Sequence, residues 1–493
     1  LPRGTTTIFM DPHEIANVLG MKGVKLMVEE GRTMPMKVYA TMPSCVPAAP
    51  GFEDAGAIFG PKEVAEAMED DRIIGLGEMM NFPGVIYGDQ NAHGELKATM
   101  DAHKPITGHY SIPDLDVGLQ AYAAAGVASC HESTTKEDAL ARMRLGMYAK
   151  LREGSAWHDV KETVRAITEN NIDSRYAILV TDDVHPHTLM ELGHLDHVVR
   201  QAIRQGVNPI TAIQMVTINT AQCFRVDRHL GSISPGRCAD IVFLTDLAEV
   251  KVDKVMVDGK IVAEKGQMVV PIPAFTYPEE ARHSVHLKQP LTPEMFKIAA
   301  PAGAQKVKAH VMEIIEAHVG TYHRLVEMDV VDGQPYHKGT EDIAKVMVME
   351  RHGGPGNFGL GYVKGFGLTG GAVASTVAHD SHNLLIVGTN DEDMALAGNT
   401  LAELGGGMIA VKDGQVLAVL PLPIAGLMSD KSVEEVAQAV ARLDEAWKEL
   451  GCQLVSPFMT MALISLPVLP ELRLTNRGLV DCLEFKMLPS VVE

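Results

Sequence analysis

The first two hundred residues predict an α/β fold on a parallel sheet, either doubly wound or closed into a barrel. Short β-branched apolar runs alternate with helical stretches, and each strand–helix unit is long enough for a crossover to a parallel neighbour. The runs number seven, one fewer than an eight-stranded barrel needs.

The strands fall, in order, over 5–11 (TTTIFMD), 36–42 (MKVYATM), 73–79 (IIGLGEM), 105–110 (PITGHY), 127–132 (VASCHE), 148–153 (YAKLRE) and 176–183 (YAILVTDD). A helix is expected over 12–31, and others over 62–70, 114–125, 136–147 and 158–170. From residue 214 the pattern changes. Turn residues in Gly231-Ser-Ile-Ser-Pro-Gly lead into an apolar strand. The runs 252–257 and 260–263 then flank Asp258-Gly259 as a hairpin. Farther on, Ser432 and Glu435 have capping-box spacing. Val436, Val440, Leu443, Trp447 and Leu450 recur at helical spacing, with Gly451 as the stop. The expected division is therefore 1–213 for the parallel-sheet domain, 214–272 for a small β domain and 273–493 for a second α/β domain.

With 43 basic against 63 acidic residues the formal charge is −20, which disfavours phosphate backbones and anionic lipid as partners. The apolar stretch 458–472 is too short, and too interrupted by proline, to span a bilayer. No nucleic-acid or membrane partner is expected. Six scattered cysteines without a C-x-x-C pair, and no visible signal peptide, predict reduced thiols and a cytoplasmic location. The chain opens on Leu1-Pro2-Arg3-Gly4 rather than on Met, which with the strand count predicts a fragment of a longer protein.

Asp11, Glu78, His109, His131 and Asp182 each lie at or near the C-terminal end of a predicted strand. In a barrel those ends converge on one face, where active sites are built. Any one of them has a plain alternative. Asp11, ahead of Pro12, suits a helix N-cap, and a single strand-end histidine is most often a hydrogen-bonded structural residue. Together they differ, because two imidazoles and three carboxylates gathered in one place are costly unless a cation holds them. Imidazole with carboxylate suits Zn, Fe or Mn, and the lack of a thiolate set argues against a structural zinc knot.

The motifs Asp11-Pro-His-Glu, Ser44-Cys-Val-Pro, Glu78-Met-Met, Gly108-His109, Cys130-His-Glu-Ser, Arg152-Glu-Gly-Ser and Thr181-Asp-Asp resemble, in that order, those of the metal-dependent adenine deaminases of the amidohydrolase superfamily. Val363-Lys-Gly-Phe-Gly, His379-Asp-Ser-His-Asn, Gly388-Thr-Asn-Asp, Leu404-Gly-Gly-Gly-Met and Pro423-Ile-Ala-Gly-Leu-Met-Ser are similar to that family's C-terminal domain. The resemblance implies a TIM-like (β/α)8 metal-dependent hydrolase barrel lacking its first strand, with a small β domain and a C-terminal α/β domain. It implies adenine as substrate, hypoxanthine and ammonia as products, and a divalent, binuclear metal centre of Mn or Fe, with Zn the alternative. A homo-oligomer is expected.

Counting the first strand here as the family's second, the resemblance makes Glu78 the bridging ligand, His109 and His131 its partners, and Asp182 both ligand and general base. Glu132 is implied to protonate or orient the purine, and Asp11, Glu14, Ser44 and Arg152 are candidates for the pocket. One departure stands out: the family's first strand ends in His-x-His, and His185-Pro-His187 comes too late in the chain to replace it. A catalytically impaired fragment is the alternative that this raises. A cyclic-amide hydrolase of the same superfamily is another, disfavoured because Glu78 stands where such enzymes usually carry a carboxylated lysine. The H-x-E…P-C-x-x-C pattern of zinc base deaminases and the Walker phosphate loop are both absent from the sequence.

Overall fold

The computed structural model describes residues 1–155, 157–170, 172–316, 318–336 and 342–492. The chain forms two compact units. One comprises 1–13, 24–45 and 59–276, and the other 14–23, 46–58 and 277–493.

The first unit contains seven parallel strands: β1 (Thr7–Met10), β2 (Lys37–Met42), β3 (Ile73–Met79), β4 (Ile106–Gly108), β5 (Val127–Cys130), β6 (Tyr148–Arg152) and β7 (Ala177–Val180). They pair strictly in sequence order, β1 to β7. A doubly wound sheet reverses direction at a switch point, and this one has none, so the barrel reading holds. The sheet also curls. Phe9 of β1, Tyr39 of β2, Ile74 of β3, Tyr148 of β6 and Ile178 of β7 share one apolar cluster with Phe224. Phe9 stacks on Phe224 at 4.3 Å between ring centroids. Side chains from the first and last strands of a flat seven-stranded sheet could not meet in this way.

Helices α1 (His13–Leu19) and α2 (Met21–Thr33) replace the single helix expected over 12–31. The break is at Gly20, whose φ of +61° is a left-handed conformation that ends a helix. The apolar periodicity runs through this point unbroken, so it gave no sign of the break. Helices α3 (Pro61–Ala67), α4 (Phe82–Tyr87), α5 (Gln90–Asp101), α6 (Val117–Ala124) and α7 (Lys136–Arg144) follow, with α3 to α5 flanking β3. The stretch expected as one helix over 158–170 is two short turns, Val160–Thr163 and Arg165–Thr168. The hairpin expected near Asp258-Gly259 joins Lys251–Val257 to Lys260–Glu264 within a four-stranded antiparallel sheet.

The second unit is built on a ten-stranded sheet whose strands Ile343–Met349 and Leu384–Gly388 are buried throughout. Val346, Val348, Leu385 and Val387 pack with helix Val433–Glu449 through Leu443, Ala446 and Trp447. Met347, Met349, Leu384 and Ile386 pack instead with helix Asp391–Glu403 through Met394, Ala397 and Leu401. This alternation puts a helix on each face, the signature of an α/β layer fold. Among the described residues no helix is long and apolar enough to cross a membrane.

Candidate functional site

The C-terminal ends of β3 to β7 bring four of the predicted residues together with Glu132 and Arg152. Glu78 is the penultimate residue of β3, a run buried on both faces, so its carboxylate leaves water as the strand forms. His109 directly follows β4, and His131 and Glu132 directly follow β5. His131 Nε2 lies 2.9 Å from Glu78 Oε2 and 3.3 Å from Glu132 Oε1. His109 Nδ1 lies 3.4 Å from Glu78 Oε2 and 3.7 Å from Glu132 Oε1. The two imidazoles meet edge to face, with centroids 5.3 Å apart.

Arg152, at the end of β6, links this group to the next. Its Nη1 contacts Glu132 Oε1 at 2.5 Å and Asp182 Oδ2 at 3.0 Å, and its Nε donates to Asp159 at 3.1 Å. Trp157 lies under the guanidinium, 5.2 Å from ring centroid to Cζ. Asp182 sits just past β7 with φ +58°, a left-handed conformation that aspartate tolerates better than most residues.

The electrostatics follow from burial and pairing. Burial opposes the charged form of Glu78, but the His131 and His109 imidazoles outweigh it and hold the carboxyl well below its usual range. Burial likewise opposes Glu132, and Arg152 with the two histidines holds it well below. His131 is pushed well above its ordinary value and His109 is raised, in both cases by the two glutamates against the effect of burial.

The donor set fits a divalent cation. Ligand atoms of Glu78, His109 and His131 lie within 4.8 Å of one another, as do those of His131, Glu132 and Asp182. Bonds of about 2.1 Å to one ion put neighbouring ligand atoms roughly 3–3.5 Å apart, and the Glu78 contacts at 2.9 and 3.4 Å are close to that span. Both ring nitrogens of His109 are buried without a properly directed hydrogen bond among the described residues. A buried ring nitrogen without a well-directed hydrogen bond is costly, and a metal would relieve that cost.

The remaining candidates are placed differently. Ser44 donates its hydroxyl to the Glu78 carbonyl at 2.6 Å, so it braces the backbone rather than the carboxylate. Asp11 follows β1 beside β3, where a Cβ on Gly77 would come within 2.5 Å of Asp11 Oδ2. Glu14 lies on α1 and belongs to the second unit. One residue was missed as a candidate. His13 is 8% exposed, with Nδ1 3.5 Å from Asp11 and Nε2 4.0 Å from Glu78. The signal was present in Asp11-Pro-His-Glu, but His13 falls on a helix rather than at a strand end.

The amidohydrolase family profile matches residues 1–262, and the adenine deaminase C-terminal domain profile matches 318–486. The adenine deaminase of Moorella thermoacetica (strain ATCC 39073 / JCM 9320) is 69% identical over 491 residues, covering 100% of this chain and 82% of that protein. The chain belongs to the adenine deaminase family. The adenine deaminase of Clostridium botulinum (strain ATCC 19397 / Type A) is 59% identical over 493 residues, with the same coverage of each. That of Mesorhizobium japonicum is 47% identical over 487 residues, covering 99% of this chain and 80% of that protein. Membership of this family implies a divalent metal, in keeping with the donor set at the ends of β3, β4 and β5.

Proposed function

We propose that this chain catalyses hydrolytic deamination of adenine, in which water replaces the exocyclic amine at C6 to give hypoxanthine and ammonia. The observation that carries this reading is the gathering of Glu78, His109 and His131 around one cation-sized space, with Glu132 and Asp182 held beside it by one arginine. Glu78, His109 and His131 would hold the metal, with Asp182 as a further ligand. The family likeness favours a binuclear centre of manganese or iron, with zinc as the alternative. A divalent ion bound there supplies Lewis acidity and makes water nucleophilic near neutral pH.

The protein's own groups do the remaining work. Asp182 takes the proton of the attacking water and returns it to the leaving amine, general base and then general acid in one cycle. Arg152 fixes that carboxylate through the 3.0 Å contact. Glu132, held by the same guanidinium, orients the purine through a ring nitrogen. Asp11 and Ser44 shape the wall around β3. The neutral heterocycle is compatible with the acidic surface, which would repel a polyanion.

The test uses the full-length gene product, with metal analysis and the absorbance change from adenine to hypoxanthine. Glu78→Gln should abolish turnover and lower bound metal. Undiminished turnover in that variant would remove Glu78 from the centre.

A further inference from the structure

The residues that carry the ligands lie where the parallel ladder is ending. The last ladder pairs are Met79 with Gly108 and Gly108 with Cys130, while His109, His131 and Glu132 come after them. Past that line the strand ends are tied by buried side chains. Tyr122, fully buried on α6, donates its hydroxyl to the Met79 carbonyl and accepts from the His109 N–H at 3.1 Å. The direct backbone bond between the same two groups is stretched to 3.4 Å. The hydroxyl thus bridges the ends of β3 and β4, one residue after Glu78 and at His109 itself.

Gly108 makes this possible, since a Cβ there would stand 2.5 Å from the Tyr122 hydroxyl. A second tie joins β4 to β5. Arg142, 1% exposed on α7, donates Nη2 to the Tyr110 carbonyl at 2.8 Å and to the Glu132 carbonyl at 3.0 Å. Cys130 Sγ accepts from the Tyr110 N–H at 3.3 Å. Tyr110 and Tyr122 pack against each other with ring centroids 5.3 Å apart, so both ties share one buried layer.

We infer that Tyr122 and Arg142 are positioning residues for the metal centre: they hold the backbone next to Glu78, at His109 and at Glu132 beside His131, where the β ladder ends. The inference rests on the metal-centre reading above. Neither side chain bonds a ligand side chain. Tyr122 grips the Met79 carbonyl and the His109 amide, and Arg142 grips the Tyr110 and Glu132 carbonyls, so loss of either would change where the ligands stand rather than which groups they are. Groups behind metal ligands typically account for about 10–100-fold in metal affinity or activity.

The experiment uses the full-length gene product loaded with Co²⁺, read by metal titration, the visible cobalt spectrum and steady-state kinetics. Tyr122→Phe removes one oxygen and leaves the ring. It should weaken cobalt binding about 10–100-fold, shift the cobalt bands, and lower kcat with little change in KM for adenine. Arg142→Lys, which cannot reach both carbonyls, should do the same through β4 and β5. It also decides the matter if the first variant does not fold. A folded variant that melts earlier but keeps the wild-type cobalt affinity and bands would overturn the inference and leave Tyr122 as packing only. If instead the wild-type protein binds no cobalt that Glu78→Gln releases, it is the metal-centre reading that fails.

Discussion

Arg152 contacts Glu132, Asp159 and Asp182, although it is 3% exposed. A buried cation among three carboxylates replaces the water each of them loses, which is why it can occupy the middle of the site. Its place among the pocket candidates was legible from Arg152-Glu-Gly-Ser, but its role as a hub was not, because Glu132 and Asp182 lie 20 and 30 residues away in sequence. Glu78 was legible for the opposite reason: a carboxylate inside an apolar strand needs a partner wherever the strand goes.

Glu95 on α5 is a buried acid with no cation beside it among the described residues. It is 2% exposed, accepts from Asn91 Nδ2 at 3.1 Å, and burial pushes its carboxyl up to about 8. An acid whose pKa is raised by folding binds a proton in the native state that the unfolded chain has already released. Stability therefore falls as pH rises from the unfolded value of 4.5 towards 8. The slope is about 1.4 kcal/mol per pH unit while only the folded state is protonated. Glu95→Gln keeps the acceptor and removes the titration. Urea unfolding of the full-length protein at several pH values should show the variant gaining on wild type as pH rises from 5 to 8. A difference that stays constant across that range would mean Glu95 is ionised in the fold.

Among the elements, β3 has the predicted bounds because Ile73–Met79 is apolar or glycine apart from Glu78 and is buried on both faces. The β4 and β7 runs come out shorter than predicted, since their last residues leave the ladder to serve the site. The break at Gly20 was not legible, because a glycine within a periodic run is ordinarily tolerated, as Gly23 and Gly31 are in the same run. The helix Val433–Glu449 carries its own start signal. Ser432 Oγ accepts from Glu435 N at 3.3 Å, and Glu435 Oε2 accepts from Ser432 N at 3.1 Å, which satisfies two donors that a helix start leaves open. Ser432→Ala should cost about 1 kcal/mol, read as a lower urea midpoint with an unchanged slope. An unaltered midpoint would mean that Leu443, Ala446 and Trp447, packed on the sheet, hold the helix without its cap.

At the scale of the whole chain, strand–helix alternation is the same in a doubly wound sheet and in a barrel, so the sequence pattern alone left both open. Strand order decides between them, and it depends on which edges meet, a long-range property that no local run encodes. The same strand order sets Glu78, His109 and His131 side by side at the ends of three neighbouring strands of the folded sheet. The rim and the barrel should therefore be thermodynamically linked. A ligand that binds only the folded state stabilises it by about 2.7 kcal/mol at one hundred times its dissociation constant. For a unit of this size each kcal/mol shifts the melting temperature by roughly 2–4 °C. Chelator-treated full-length protein should thus melt several degrees lower than protein resupplied with Mn²⁺ or Zn²⁺. The difference should shrink in His109→Ala and in Glu78→Gln, which remove ligands from β4 and β3. Scanning calorimetry at a series of metal concentrations checks this. An equal rise in wild type and in both variants would place the stabilising ion elsewhere, and would separate the closure of the sheet from the chemistry at its rim.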